Sequence, residues 1–342
     1  MSRPALVKTI AQRVLDAIPS IIGVIIITFL LARALPGDPA AYFAGAAASQ
    51  EAIDQIRVTL GLDRSVPEQF LIYISDLVQG DWGNSLTTGQ PVLTDLSRRL
   101  PASLELTLAG LILAIAVALP LGVLAATRPG SWMDHAVRVL GTAGVSLPTF
   151  FTGLLLIYVL YFRLGWAPAP LGRLGLFDSP PPGVTGLYLI DSLLAGQWGT
   201  FAAAFRQLIL PTVTLGLFAL APLARVTRAS MLGILSGDFI RTAVASGLSP
   251  RMILFGYAFR NAMLPVLTTL GIVFSFLLGA NVLVEKVFAW PGIGSYAVSA
   301  LVASDYAPVQ GFVLTMSLLY IALNLALDIL YTAVDPRAGA DA

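Results

Sequence analysis

Six apolar runs, each long enough at roughly 20 residues to cross a hydrocarbon layer, dictate what this 342-residue chain can become. They lie at 9–35, 101–126, 136–162, 208–224, 264–284 and 309–334. Charged residues make up only 11% of the chain, against about 25% in an ordinary soluble domain. With a mean hydropathy of +0.83, the expected fold is an all-α integral membrane protein with six transmembrane helices. Leu100-Pro101, Leu210-Pro211 and Leu264-Pro265 stand at the head of three runs, where a missing N–H does no harm, and are expected to start helices. Pro19 and Pro120 fall inside runs and are expected to mark kinks.

Basic residues set the orientation. Arg3, Lys8 and Arg13 precede the first run, Arg128 and Arg138 stand between the second and third, and Arg225, Arg228, Arg241, Arg251 and Arg260 fill the fourth connection. The segment after the first run is instead rich in Asp and Glu. Both termini and the 225–264 connection are therefore expected in the cytoplasm, with 36–100 and 163–207 outside. Ala32-Arg33-Ala34 also resembles a signal-peptidase site. The apolar run before it slightly exceeds a usual signal core, so the first span is expected to stay.

The outer segment 36–100 is expected to hold two helices, at 50–61 and 66–78, followed by a turn cluster at 80–84. It reads as a small cap on the membrane bundle rather than a catalytic domain. Asp178 to Gly183 must be irregular, and 188–194 can form a turn or two of helix. All five tryptophans (82, 132, 166, 198 and 290) fall outside the runs and are expected to be interfacial anchors. Between the last two runs, Trp290-Pro291-Gly292 forces a turn, which either guards a pathway or is a packed connector.

Chemistry is conspicuous by what the residues exclude. There is no cysteine and one histidine, His135, so a histidine or cysteine metal site lacks ligands. The two lysines, Lys8 and Lys286, stand near no phosphate-binding glycine run, and neither H-E-x-x-H nor G-x-S-x-G occurs. A net charge of +1 gives no case for nucleic acid. Glu105 sits one turn after Pro101, where a helix start would favour it, or where it could contact solute. Asp328, with Asn324 one turn earlier, is either a gate contact or a water-facing group. Uphill transport fuelled by nucleotide would need another subunit to hydrolyse it.

The 225–264 connection is long enough to be functional. Asp238 can cap a short helix, Gly247 can end it, and Pro250 prevents its continuation. Phe239, Ile240, Ala243 and Gly247 would share one side, with Ala243 and Gly247 leaving room for a partner's backbone.

Several blocks, in order, extend this reading: FLLARALPGDPA (29–40), LGLDRSVPEQF (60–70), GDWGNSLTTGQPV (80–92), RLPASLELT (99–107), PPPGVTGLYLIDSLLAG (180–196), VLVEKVFAWPGIG (282–294) and ALDILYTAVDPR (326–337). Together they resemble the B-type permease of bacterial dipeptide, oligopeptide and nickel ABC importers. The resemblance implies the type I ABC importer permease fold, with a five-helix core at 101–335, a cytoplasmic tail at 336–342 and residence in the bacterial inner membrane. It also implies that Arg241, Thr242, Ala243 and Gly247 belong to an EAA loop whose coupling helix enters a groove on an ATP-hydrolysing subunit. Arginine and threonine here replace the general Glu-Ala, and no basic residue stands between Ala243 and Gly247. Implied partners are a second homologous permease, two ATP-binding subunits, an extracytoplasmic solute-binding protein and membrane lipid. ATP and Mg would sit in the ATP-binding subunits and no cofactor in this chain. Dipeptides, longer peptides, glutathione and chelated nickel are all compatible cargo. An ion-coupled secondary transporter and a membrane-embedded enzyme are the competing readings from the residues.

Overall fold

The computed structural model describes residues 3–34, 38–45 and 48–334, and nearly all of the regular structure among them is helical. Four described helical stretches are long and apolar enough to cross a membrane: Val92–Thr127, Trp198–Leu235, Met252–Val287 and Tyr306–Leu327. Ile18–Leu31 and Thr149–Arg163 are shorter apolar helices within the first and third expected spans. The outer helices expected at 50–61 and 66–78 form as Gln50–Thr59 and Val66–Val78. Ser49 starts the first of them by accepting a hydrogen bond from the Ala52 N–H at 3.3 Å.

The prolines behave differently from the expectation. Pro101, Pro211 and Pro265 all lie inside helices, in Val92–Thr127, Trp198–Leu235 and Arg260–Val287. Burial carries the first of these upstream of its proline. Val92 and Leu96 are fully buried with Ile293 and Tyr296, which fixes helical backbone well before Pro101. Conversely, the expected third span is not one helix. It breaks between Trp132–Ser146 and Thr149–Leu156, the latter running on as the π-helical Ile157–Arg163. Leu147, forced out of helical geometry by the ring of Pro148, is extended at φ −104° and ψ 133°.

The chain divides into two compact units. One comprises Ser2–Ser103 and Pro291–Ile321. Its core joins Val92, Leu96, Ile293 and Tyr296 to Trp82 and Phe312. The stretch just after the turn cluster is tied down by Asp305, whose Oδ2 accepts from Ser85 Oγ at 2.8 Å, Thr87 N at 3.0 Å and Thr87 Oγ1 at 3.1 Å.

The other unit comprises Leu104–Trp290 and the described part of Ala322–Ala342. Its central element is Trp198–Leu235, which packs against Trp132–Ser146 and Arg260–Val287. Apolar side chains gain nothing by leaving lipid for one another, so helices here depend on close approach at small residues. A Cβ on Gly122 would lie 2.6 Å from Thr227 Cβ, and one on Gly144 would lie 2.9 Å from Ala221 Cβ. Trp290 is also in this unit and is 1% exposed, so it is a core residue and not an interfacial anchor. Its N–H donates to Glu285 O at 2.8 Å, closing the end of Arg260–Val287 beside Ala289, which adopts φ +51°.

Gly122→Leu is expected to destabilise the protein by about 1–3 kcal/mol, the usual cost of overpacking. Thermal unfolding of the detergent-purified protein measures it; an unchanged midpoint would mean that the seam can open freely.

Candidate functional site

The long helix Trp198–Leu235 ends at Ser236, and the chain reverses through Gly237 into the short helix Asp238–Ala245. Gly237, extended at ψ 151°, is the N-cap, which corrects the expectation for Asp238. Asp238 is already the first helical residue. Its exposed carboxylate accepts from Arg241 Nη1 at 3.2 Å and lies near the positive end of the helix. The far end closes as a Schellman motif: Gly247 N donates to Val244 O at 3.0 Å and Leu248 N to Ala243 O at 3.2 Å. That motif requires left-handed backbone, and Gly247 supplies it at φ +75°.

Amphipathic geometry then divides the residues of this elbow helix. Ile240 and Ala243 are buried in an apolar cluster with Val123, Ala126, Met231, Ile253, Ala258 and Ala262. They bind the elbow to its own bundle, so the side expected to receive a partner is largely occupied. Phe239, Arg241, Thr242, Val244 and Gly247 are exposed, and nothing stands within 4 Å of where a Gly247 Cβ would be. A docking partner would meet this outward face.

Sequence reasoning passed over Asp134, which anchors the same end of the unit. Its side chain is 2% exposed and receives Arg228 through Nε and, at 3.0 Å, Nη2. The Gly130 N–H donates to it at 2.9 Å, and its own N–H donates to Ser131 Oγ at 3.3 Å, capping Trp132–Ser146. The Arg228 hydrogen bond first, then that of Gly130, holds the carboxyl down from 3.8 to about 2. Arg228 lies in the last turns of the helix that leads into the elbow. The pair therefore ties that helix to the start of Trp132–Ser146.

At the other expected face, Glu105 has a partner that its sequence context did not reveal. It is not at a helix start but 13 residues into Val92–Thr127. Arg173 Nη2 donates to Glu105 Oε2 at 2.7 Å and to Gly186 O at 2.8 Å, while Leu189 N donates to Oε1 at 2.9 Å. Arg173 also covers the Tyr188 ring at 3.4 Å. Next to it Asp191 is 1% exposed. Burial pushes its carboxyl up, but hydrogen bonds from the N–H groups of Thr185, Gly186 and Val184 and from the Thr185 hydroxyl outweigh this and lower it. The irregular 180–187 stretch is thus wrapped on one carboxylate. The available signal was partial: a buried acid in an apolar helix needs a cation, and the insertion offers Arg163, Arg173 and Arg206.

The gate candidates belong to different elements. Trp290 is buried, Pro291 is exposed, and Gly292 is the buried N-cap of Ile293–Val302. The Ile293 N–H donates to Ser103 Oγ at 2.9 Å. Asn324 is half-buried in Tyr306–Val334, and the side chain of Asp328 lies outside the described residues. Among the described residues no group of three or more His, Cys, Asp or Glu is placed to hold a metal.

The unit thus turns a short, half-exposed helix out of its surface at the end of its longest described helix. A solved structure of the MetNI methionine ABC transporter, inward facing, shares the fold with a TM-score of 0.53 at 19% identity, covering 71% of this chain and 97% of that one. The arrangement is the type I ABC importer permease fold. The family described as binding-protein-dependent transport system inner membrane component matches residues 118–339, and its N-terminal counterpart matches 6–107. The chain belongs to this family, as a membrane permease component. It is 44% identical over 328 residues to the probable D,D-dipeptide transport system permease DdpB of Escherichia coli K12, covering 96% of each chain. It is 42% identical to the di/tripeptide transport system permease DppB of Pseudomonas aeruginosa, covering 96% of this chain and 97% of that one.

Two outcomes are expected. Arg173→Met strands a buried carboxylate and should cost about 3–5 kcal/mol of stability, whereas Glu105→Leu with Arg173→Met should recover most of it; chemical denaturation of the three proteins checks this. For Asp134 the folded value is depressed, so its contribution is complete above pH 3.8 and is lost as pH falls toward about 2. The difference in melting temperature between wild type and Asp134→Asn should shrink across that window.

Proposed function

We propose that this chain forms half of the translocation pathway of an ATP-driven importer for peptides or a related small solute such as glutathione or a nickel chelate. The observation that carries the proposal is relatedness, above 40% and nearly end to end, to dipeptide permeases. The outward face of the elbow helix supports it, because Phe239, Arg241 and Val244 are exposed on a segment held rigidly from behind.

In this reading six crossings leave both termini in the cytoplasm, and a second homologous permease completes the pathway. Two ATP-binding subunits hold ATP and Mg, and each grips one coupling helix. Their closure drives the pathway outward, and a solute-binding protein seated on the outer segments 36–100 and 163–207 releases cargo into it. This chain itself holds no cofactor. Asp238, Phe239, Arg241, Thr242 and Gly247 serve the ATPase contact, and Ile240 and Ala243 carry its motion into the bundle. Trp290, Pro291, Gly292, Asn324 and Asp328 remain the gate candidates.

Reconstitution tests the proposal. Liposomes holding the full complex should accumulate a dipeptide only with ATP inside, and the chain alone should accumulate none. Uptake by the chain alone along an ion gradient would instead identify an ion-coupled carrier and overturn the reading. Gly247→Val places about 1–2 kcal/mol of strain at the elbow and should lower ATP-driven uptake on the order of tenfold, with the complex still assembling.

A further inference from the structure

The last turn of the first helix carries Arg33, directly after the apolar stretch Ile18–Leu31. That order places a cation at the depth where a membrane's hydrocarbon gives way to headgroups. Helices Gln50–Thr59 and Val66–Val78 and the turn between them border a cavity of 330 Å³ there, lined by Arg33, Arg64, Gln69, Tyr73 and Asp76 among others.

The arginine at its edge is positioned but not neutralised. The Arg33 guanidinium lies 3.6 Å from the centroid of the Phe29 ring, and Phe29 in turn stacks on Tyr73. Arg33 Nε donates to Gln69 Oε1 at 3.1 Å, and Gln69 Nε2 donates to Arg64 O at 2.9 Å, which orients the amide. Arg33 Nη1 is buried with no hydrogen-bond partner among the described residues. No described acid forms an ion pair with Arg33 or Arg64. Two guanidinium groups and one carboxylate therefore share the cavity, leaving an excess positive charge. Burial pushes the Tyr73 hydroxyl up to about 12, so it stays protonated and able to donate.

A buried guanidinium nitrogen without an acceptor is costly, and a planar fork of donors matches the oxygens of a phosphate. We propose that this cavity binds the phosphate of a membrane phospholipid headgroup, with Arg33 and Arg64 as its donors. The source is lipid rather than a soluble anion because Arg33 follows the apolar stretch Ile18–Leu31 within two residues. Asp76, on the same lining, suits a headgroup that also carries an amine. The site goes beyond the transport reading and needs only a chain embedded in a bilayer.

Native mass spectrometry of the assembled transporter tests it, with wild type compared with Arg33→Gln and Arg64→Gln and with phosphatidylethanolamine and phosphatidylglycerol added in turn. Wild type should retain one phospholipid more than either variant, with affinity for the added lipid falling on the order of tenfold in each. Equal lipid retention in all three proteins would overturn the proposal. So would displacement of the lipid by millimolar inorganic phosphate or dipeptide, which would assign the pocket to a soluble oxyanion. Arg64 is solvent-exposed, so Arg64→Gln decides the matter if Arg33→Gln fails to fold.

Discussion

Between two helices surrounded by lipid, contact distance replaces water as the source of cohesion, and Trp198–Leu235 is where this chain achieves it. Gly122 meets Thr227 and Gly144 meets Ala221 with no room for a Cβ. Backbones that approach this closely gain dispersion along their length, which is the main attraction available between apolar surfaces in hydrocarbon. The elbow depends on the same helix. Met231, four residues before its end, is fully buried with Ile240 and Ala243 of the next helix.

Charge then acts as a second fastening within that unit, through two buried carboxylates. Glu105 with Arg173 fixes the irregular insertion to one helix, and Asp134 with Arg228 fixes one helix start to another. Neither is a surface pair of small worth; both carboxylates are almost wholly enclosed. Backbone N–H groups supply the remaining acceptor needs at each, from Leu189 and from Gly130. These contacts organise connections whose composition, rich in proline and glycine, has little order of its own.

Much of this was legible in the residues. Apolar length located the four helices long enough to cross a membrane, and the Gly247 and Pro250 punctuation located the elbow and its end. Proline did not read as cleanly. Leu100-Pro101, Leu147-Pro148, Leu210-Pro211 and Leu264-Pro265 look alike locally, yet helices run through Pro101, Pro211 and Pro265 and one breaks at Pro148. The difference is in the neighbours. Val266 and Leu267 after Pro265 are buried and hold the helix, while Phe150 and Phe151 after Pro148 are exposed and do not. The orientation of the elbow was likewise unreadable, since an amphipathic stripe states that one face is covered without saying by what. Arg173 and Glu105 lie 68 positions apart, beyond any local pattern.

Geometry at the end of the longest helix has a mechanical corollary. At 1.5 Å per residue, the 38 residues of Trp198–Leu235 make a beam about 57 Å long. Its C-terminal tip is packed onto the elbow through Met231, Ile240 and Ala243. Pivoting such a beam by about 5° swings its opposite tip by roughly 5 Å, one helical pitch. A shove too slight to disturb packing at the elbow thus arrives magnified at the opposite side of the unit.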